Sequence, residues 1–297
     1  MRFFHDMIAR ALRPKGNVVF GLLAICTAVW LAGCGRAKAP PQTPGALRLV
    51  STAPNLTEIV FAIGAGGCLV GRTDVCDYPP EAAQVPAVGG FASPWLEPLL
   101  ATRPTHVLEC AMEDAALRKH LGALGIPLVH IPCSRLDDIP DAILQLGKLT
   151  DNVPLATVFA HTIRAALKGN ATSNAVRPSV FLLLAPESPI TAGADTFVSE
   201  LLELAGGGNA AVGAGGTGYF HASLEWLLTR DPDIILCLFD TRDGDPAARF
   251  ASRTGWQSLR AVREGRVKTV ADLDTVLRPG PRVLQGLAQL RECLGEN

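Results

Sequence analysis

From Leu47 onward the chain alternates between short apolar runs and stretches with helical periodicity. "LRLVST", "CLVGRT", "THVLEC" and "PLVHIPC" read as strands, and "NLTEIVFAIGAG", "SPWLEPLLAT" and "EDAALRKHLGALG" read as the helices between them. Asn55 with Glu58 three residues on has the form of a helix cap. Ser93 followed by Pro94 marks another start, because a proline in the first turn gives up an N–H that has no partner anyway. A helical region follows, "LDDIPDAILQLGKLT" and "VPLATVFAHTIRAALKGNA", with no convincing strand. The alternation then resumes in "SVFLLLA", "DTFVSELLELAGGG", "SLEWLLTR", "DIILCLF", "DPAARFASRTGWQSLRAVREG", "RVKTVA" and "GPRVLQGLAQLRECL". Strands apolar enough to be covered on both faces, alternating with helices, predict an α/β fold with parallel sheets.

One segment is written twice. "LEPLLATRPTHVL", Leu96 to Leu108, and "LEWLLTRDPDIIL", Leu224 to Leu236, share a Leu-Glu opening, a Leu-Leu pair, a proline and a closing leucine. Each has an aromatic six places before its glutamate, Phe91 before Glu97 and Tyr219 before Glu225. Equivalent positions in two halves separated by a helical stretch predict two similar α/β lobes, 47–149 and 177–297, joined by a long helix over 150–176.

The first residues depart from this pattern. Arg2, Arg10, Arg13 and Lys15 precede the apolar run "VVFGLLAICTAVWLA", which is shorter than the about twenty residues of a membrane-spanning helix. That is the form of an export signal over residues 1–33. "LAGC", Leu31 to Cys34, resembles the lipobox of bacterial lipoproteins, which implies that Cys34 becomes the lipidated first residue and anchors the chain to a membrane. An ordinary signal cut elsewhere and an uncleaved anchor are the other readings. The Pro- and Gly-rich segment up to residue 46 reads as a tether.

Composition narrows the function. Within 297 residues, 27 Lys and Arg balance 28 Asp and Glu, and no basic block is present to neutralise a phosphate backbone, so nucleic acid is not an expected partner. Beyond Cys26 and Cys34, the cysteines 68, 76, 110, 133, 237 and 293 are scattered without a CxxC pair, which argues against a dedicated zinc site. The glycine-rich segments follow helices rather than strands, and there is no P-loop, GxSxG or HExxH motif, so an enzyme is not expected.

The stretch "RLVSTAPNLTEIVFAIGAGGCLVGRTDVCDYPPEAAQVPAVGGF", the two copies of the repeat, "TAGADTFVSELLELAGGGNAA" and "RPGPRVLQGLAQL" together resemble the substrate-binding proteins of ABC importers for cobalamin, iron siderophores and haem. The resemblance implies two Rossmann-like α/β lobes joined by a backbone helix, with ligand held in the cleft between them. It also implies that Glu97 and Glu225 meet arginine pockets on a dimeric permease served by ATPase subunits. A glutamate in a first turn also complements the helix dipole, and the two roles are compatible.

Phe91 and Tyr219 fall where the family lines its cleft, as do Tyr78 in "DYPP", His221, and Asp274 with Arg278. An Asp and an Arg four apart also suit a local salt bridge. Some cobalamin-binding relatives place aromatics where this chain has Val75 and Cys110, which weakens a purely corrinoid assignment. Others carry cysteines in the loops of Cys76 and Cys110, which implies a disulfide between them. A bare metal ion would need several converging ligands, and His221 alone is too few.

The expectation is an exported, lipid-anchored monomer on the periplasmic side of the cell envelope, with no prosthetic group. It would take cobalamin, or alternatively a ferric siderophore or haem, and close on it with a small motion because the bridging helix is stiff.

Overall fold

The apolar runs become the strands of two separate four-stranded sheets. The computed structural model describes residues 46–110, 115–169, 177–242 and 244–295; the expected export signal, Cys34 and the tether before residue 46 lie outside the described residues. So does the end of the expected linking segment, 170–176.

In the first lobe β1 (Leu49–Ser51) leads to α1 (Pro54–Ala62) and β2 (Leu69–Arg72). A two-residue antiparallel pair follows, β3 (Gly89–Gly90) with β4 (Ser93–Pro94), then α2 (Leu96–Ala101) and β5 (His106–Glu109), α3 (Ala115–Ala123) and β6 (Leu128–His130). The main sheet has the order β2-β1-β5-β6, all parallel.

Two long helices come next, α4 (Asp138–Leu149) and α5 (Val153–Gly169). They pack closely because Gly147 faces Ala156: a Cβ on that glycine would lie 2.2 Å from the alanine's.

The second lobe holds β7 (Ser179–Leu183), β8 (Ile190–Ala192), α6 (Phe197–Leu204), β9 (Gly208–Asn209) and β10 (Tyr219–His221). It continues with α7 (Leu224–Arg230), β11 (Ile234–Cys237), α8 (Pro246–Ala251), α9 (Arg260–Arg263), β12 (Val267–Thr269), α10 (Leu273–Leu277) and α11 (Val283–Leu294). Its main sheet runs β12-β11-β7-β9, again all parallel. Read from β9, this is the order of the first lobe: the first strand sits between the second and the third, and the fourth lies beyond. The central strands are buried on both faces, as in Leu49–Ser51 and Ile234–Cys237, which is why they read as continuous apolar runs.

The repeated segment occupies the same place in both lobes, as the last helix before a central strand and the start of that strand. Leu99 and Leu227 are fully buried. Each helix ends in a left-handed residue just before the proline, Arg103 with φ 49 and Asp231 with φ 41. The residue after each proline ties the turn to the lobe's first strand: Thr105 Oγ1 accepts from Arg48 N at 2.9 Å, and Asp233 Oδ2 accepts from Ser179 N at 2.8 Å. An arginine clasps each left-handed carbonyl, Arg48 Nε to Arg103 O at 2.8 Å and Arg260 Nη2 to Asp231 O at 3.2 Å.

Three local expectations fail. Asn55 does not cap α1; Ala53 holds the cap position without a side-chain bond, and Asn55 and Glu58 are buried inside the helix because both are used by the other lobe. The α2 helix starts at Leu96 rather than after Ser93, since Ser93 and Pro94 pair with Gly90 and Gly89. The segment from Asp245 to Gly265 is not one helix but α8, a 3₁₀ turn at Trp256–Ser258 and α9, broken at Gly255 with φ 85. Among the described residues no helix is long and apolar enough to cross a membrane.

Candidate functional site

In a sheet whose first strand is flanked by the second and third, the loops leaving the first and third strands diverge to opposite faces and leave a crevice at their carboxyl ends. Both lobes present such an end to a common cavity of about 720 Å³. Asn55 after β1 and Cys110 after β5 line it from the first lobe, and Asp195, Thr196, Asp274 and Arg278 from the second. The volume lies within the range of small-molecule sites.

Two aromatics project into this space from antiparallel ribbons. Phe91 occupies the two-residue turn between β3 and β4, beside Ala92 with φ 50, and is 54% exposed. The turn is held by Ala92 N donating to Thr52 O at 3.2 Å. Gly89 is required beneath it, because with φ 140 its Cβ would meet Pro94 Cα at 2.6 Å. Tyr219 opens β10, opposite Ala192 of β8, and is 55% exposed. Asp195 fixes the approach to it by accepting from Gly218 N at 2.9 and 3.0 Å. Partial burial, and secondly the Asp195 carboxylate, hold the Tyr219 phenol above its ordinary range.

The ionic groups gather at one end of the cavity. Arg278 Nη1 donates to Asp77 Oδ1 at 2.8 Å and to Glu58 Oε1 at 3.2 Å, while Nη2 donates to Val75 O at 3.3 Å and pairs with Asp274 Oδ2 at 2.9 Å. The four-residue spacing of Asp274 and Arg278 therefore makes a local salt bridge, and both residues also line the cavity. Partial burial pushes the Asp274 carboxyl up, and Arg278 only partly offsets this. Burial also works to raise Asp77, but the hydrogen bond and charge of Arg278 outweigh it and leave that carboxyl below the usual carboxylate range.

Several expected site residues lie elsewhere. His221 is outside the cavity lining, with Nδ1 2.8 Å from Ser188 Oγ, because it stands two places further along β10 than Tyr219. Tyr78 is outside it as well: its ring lies 4.0 Å from the guanidinium of Arg282, which covers it. The Cys76–Cys110 disulfide is not formed. Cys76 Sγ is 3.0 Å from Thr73 Oγ1 and Cys110 Sγ donates to Asn55 Oδ1 at 3.3 Å, so each thiol is turned to a partner of its own. Burial pushes the Cys110 thiol up to about 11.

Cys133, Asp195 and Asn55 belong to the lining, and the sequence reading missed them in that role. Asp195 had a usable signal, being a polar residue between a short apolar run and a helix start; Cys133 had none. Glu97 and Glu225 both stand exposed in the first turns of α2 and α7, and among the described residues no ion pair engages either.

Comparison with known proteins agrees with this geometry. Residues 49–272 match the family model described as periplasmic binding protein. The ABC transporter substrate-binding lipoprotein YvrC of Bacillus subtilis is 31% identical over 257 residues, 83% of this chain and 79% of that one. Among solved structures, the periplasmic vitamin B12 binding protein BtuF of Vibrio cholerae superposes with a TM-score of 0.71 at 27% identity, covering 84% of this chain and 96% of the other. The periplasmic heme-binding protein RhuT from Roseiflexus sp. RS-1 gives 0.72 at 27% identity, covering 84% and 98%. These relatives are substrate-binding transport proteins rather than enzymes. The chain belongs to the periplasmic binding protein family, as a two-lobed substrate-binding protein of the ABC importer type that includes vitamin B12, haem and iron-chelate binders.

Proposed function

We propose that this protein captures a corrinoid, cobalamin or a close relative, and delivers it to an ABC permease. The observation that carries the choice of ligand is the charge lining the cleft: Asp195 and Asp274 face it, and its cation, Arg278, is already engaged by Asp77, Glu58 and Asp274. A cleft that is net acidic repels the propionates of haem and the anionic groups of many ferric chelates. It accepts a macrocycle rimmed with amides, whose N–H groups donate to carboxylates. Phe91 and Tyr219 supply flat surface to such a ring, and Tyr219 adds a hydroxyl. The B12-binding relative supports the same choice.

Haem is the second reading, favoured by the heme-binding relative and by the exposed phenol of Tyr219, a group able to ligate ferric iron. The upward shift of that phenol works against the phenolate such a bond needs.

Delivery runs through Glu97 and Glu225, one on each lobe, which offer two carboxylates to a two-fold permease. Cys34 would carry the lipid that holds a monomer at the periplasmic side of the envelope. No chemical step is needed; apolar contact and a few hydrogen bonds retain the ligand until docking.

Titration with cyanocobalamin, hemin and ferrichrome tests the assignment. Cyanocobalamin is expected to quench tryptophan fluorescence with saturation, and hemin to leave its Soret band unmoved. A saturable Soret shift with no response to cyanocobalamin would overturn the corrinoid reading.

A further inference from the structure

Among the described residues the lobes touch through two groups of polar contacts, and both border the cleft. In the first, Glu58 of α1 reaches across to Arg282, which precedes α11: Nε donates to Oε2 and Nη2 to Oε1, each at 2.8 Å. The two side chains are 1% and 7% exposed. Arg282 also pairs with Asp272 at 3.0 Å on its own lobe, and its guanidinium lies over the ring of Tyr78 from the first lobe. Arg278 adds Asp77, Glu58 and Val75 O across the same gap, and Asn55 Nδ2 donates to Pro279 O at 3.2 Å. Asn55 and Pro279 are themselves part of the cleft lining. In the second group, Glu200 of α6 accepts from Leu136 N at 2.8 Å and pairs with Arg135. Ser134 and Thr196, which line the cleft, flank that contact in sequence.

A bidentate arginine–carboxylate fork fixes direction as well as distance. Once buried it also resists partial opening, because separating the ions while either stays under protein leaves an unpaired buried charge. The second tie is lighter, a Glu200–Arg135 pair whose arginine is 62% exposed together with the bond from Leu136 N, and it adds a further link between the lobes beside the cavity.

We propose that Glu58 and Arg282, seconded by Asp77 with Arg278 and by Glu200 with Arg135, are positioning residues that hold the empty cleft at its ligand-bound width. Glu58 acts through Arg278 as well, since its Oε1 accepts from both arginines and so aims the guanidinium that orients Asp274 toward the cleft. Ligand affinity then benefits because the ordering of the two lobes is complete before binding. A protein without the ties populates the competent arrangement only as a fraction f, and its apparent Kd rises by 1/f. The assignment of cyanocobalamin as probe rests on the function proposed above; the placement of the lobes does not.

The test combines small-angle scattering of the full chain with cyanocobalamin titration. Wild-type protein is expected to give the same pair-distance distribution with and without ligand. Glu58→Gln and Arg282→Met are expected to broaden the ligand-free distribution, return it to the wild-type form at saturating cyanocobalamin, and raise Kd at least tenfold. Arg282→Lys, which keeps the charge but loses the fork, should fall between.

Should the buried variants fail to fold, Asp77→Asn and Glu200→Gln cut the outer members of each tie without opening the core, and a threefold rise in Kd with a broadened distribution is expected of the pair combined. Folded variants with unchanged ligand-free scattering overturn the proposal. So does a wild-type distribution that contracts markedly on loading. If wild-type protein ignores cyanocobalamin, the corrinoid assignment fails while the ligand-free scattering still decides whether the ties set the cleft.

Discussion

In the first lobe the turn between α2 and β5 is tied by a hydroxyl, Thr105 to the N–H of Arg48; in the second the turn between α7 and β11 is tied by a carboxylate, Asp233 to the N–H of Ser179. Asp233 also pairs with Arg260 at 2.7 Å, and Asp231 beside it accepts from Arg260 N at 2.8 Å. The helices differ in the same sense. Ser223 caps α7 by accepting from Trp226 N at 3.1 Å, whereas the cap position of α2 holds Trp95, which makes no side-chain capping bond and is 63% exposed. One backbone plan, with its left-handed residue and proline, is thus kept in both halves while the side chains that secure it diverge. The teaching is that the plan is set by the positions of Leu, Pro and the strand, and that the polar fastening is replaceable.

The comparison is most open to attack at its functional end. Replacing both Glu97 and Glu225 by Ala is expected to abolish permease-stimulated ATPase activity and transport while cyanocobalamin affinity stays as in wild type; each single variant should keep part of the activity. One single variant as inactive as the double, with the other near wild type, would break the equivalence of the two helices.

Next in size come the buried leucines. Leu99→Ala and Leu227→Ala should each lower stability by about 2–5 kcal/mol in urea unfolding, since both side chains are fully enclosed. Strongly unequal losses would show that the two turns do not pack alike.

The fastenings should then separate. Asp233→Ala is expected to cost about 1.5–3 kcal/mol and Thr105→Ala about 0.5–1.5 kcal/mol, the difference between a charged and a neutral acceptor.

Smallest is the cap. Ser223→Ala should cost about 1 kcal/mol. Trp95→Ser, at a position with the extended backbone φ −82, ψ 123 that a cap needs, should recover a few tenths of a kcal/mol in the first lobe. A loss there instead would mean that Trp95 contributes packing despite its exposure.

Much of the architecture could be read from the chain because it rests on periodicity. The buried strands at Leu49–Ser51, Ser179–Leu183 and Ile234–Cys237 are apolar on both faces, and α5 and α11 keep one apolar stripe over several turns. What periodicity cannot report is a partner far away in sequence. Glu58 sits three residues after Asn55 and has the spacing of a capping box, yet both side chains are taken by the other lobe, Glu58 by Arg282 and Asn55 by Pro279 O. The ribbons β3–β4 and β8–β10 escaped notice because they are two or three residues long. At the cavity, the matched places of Phe91 and Tyr219 ahead of the repeat correspond to two lining residues, because each precedes the same helix–strand unit in its lobe. His221 and Tyr78 came from the resemblance alone, and local partners engage both, Ser188 at the His221 ring and Arg282 over the Tyr78 ring.

The turn that carries Phe91 has a consequence for how such a binder diversifies. Its shape is imposed by Gly89, by Ala92 in the left-handed region and by the hydrogen bond from Ala92 to Thr52, and nothing in it depends on which side chain stands at position 91. An exposed position of that kind tolerates exchange within about 0.5 kcal/mol. The surface that position 91 presents to the cavity can therefore be rewritten by single substitutions that leave the lobes and the turn itself as they are.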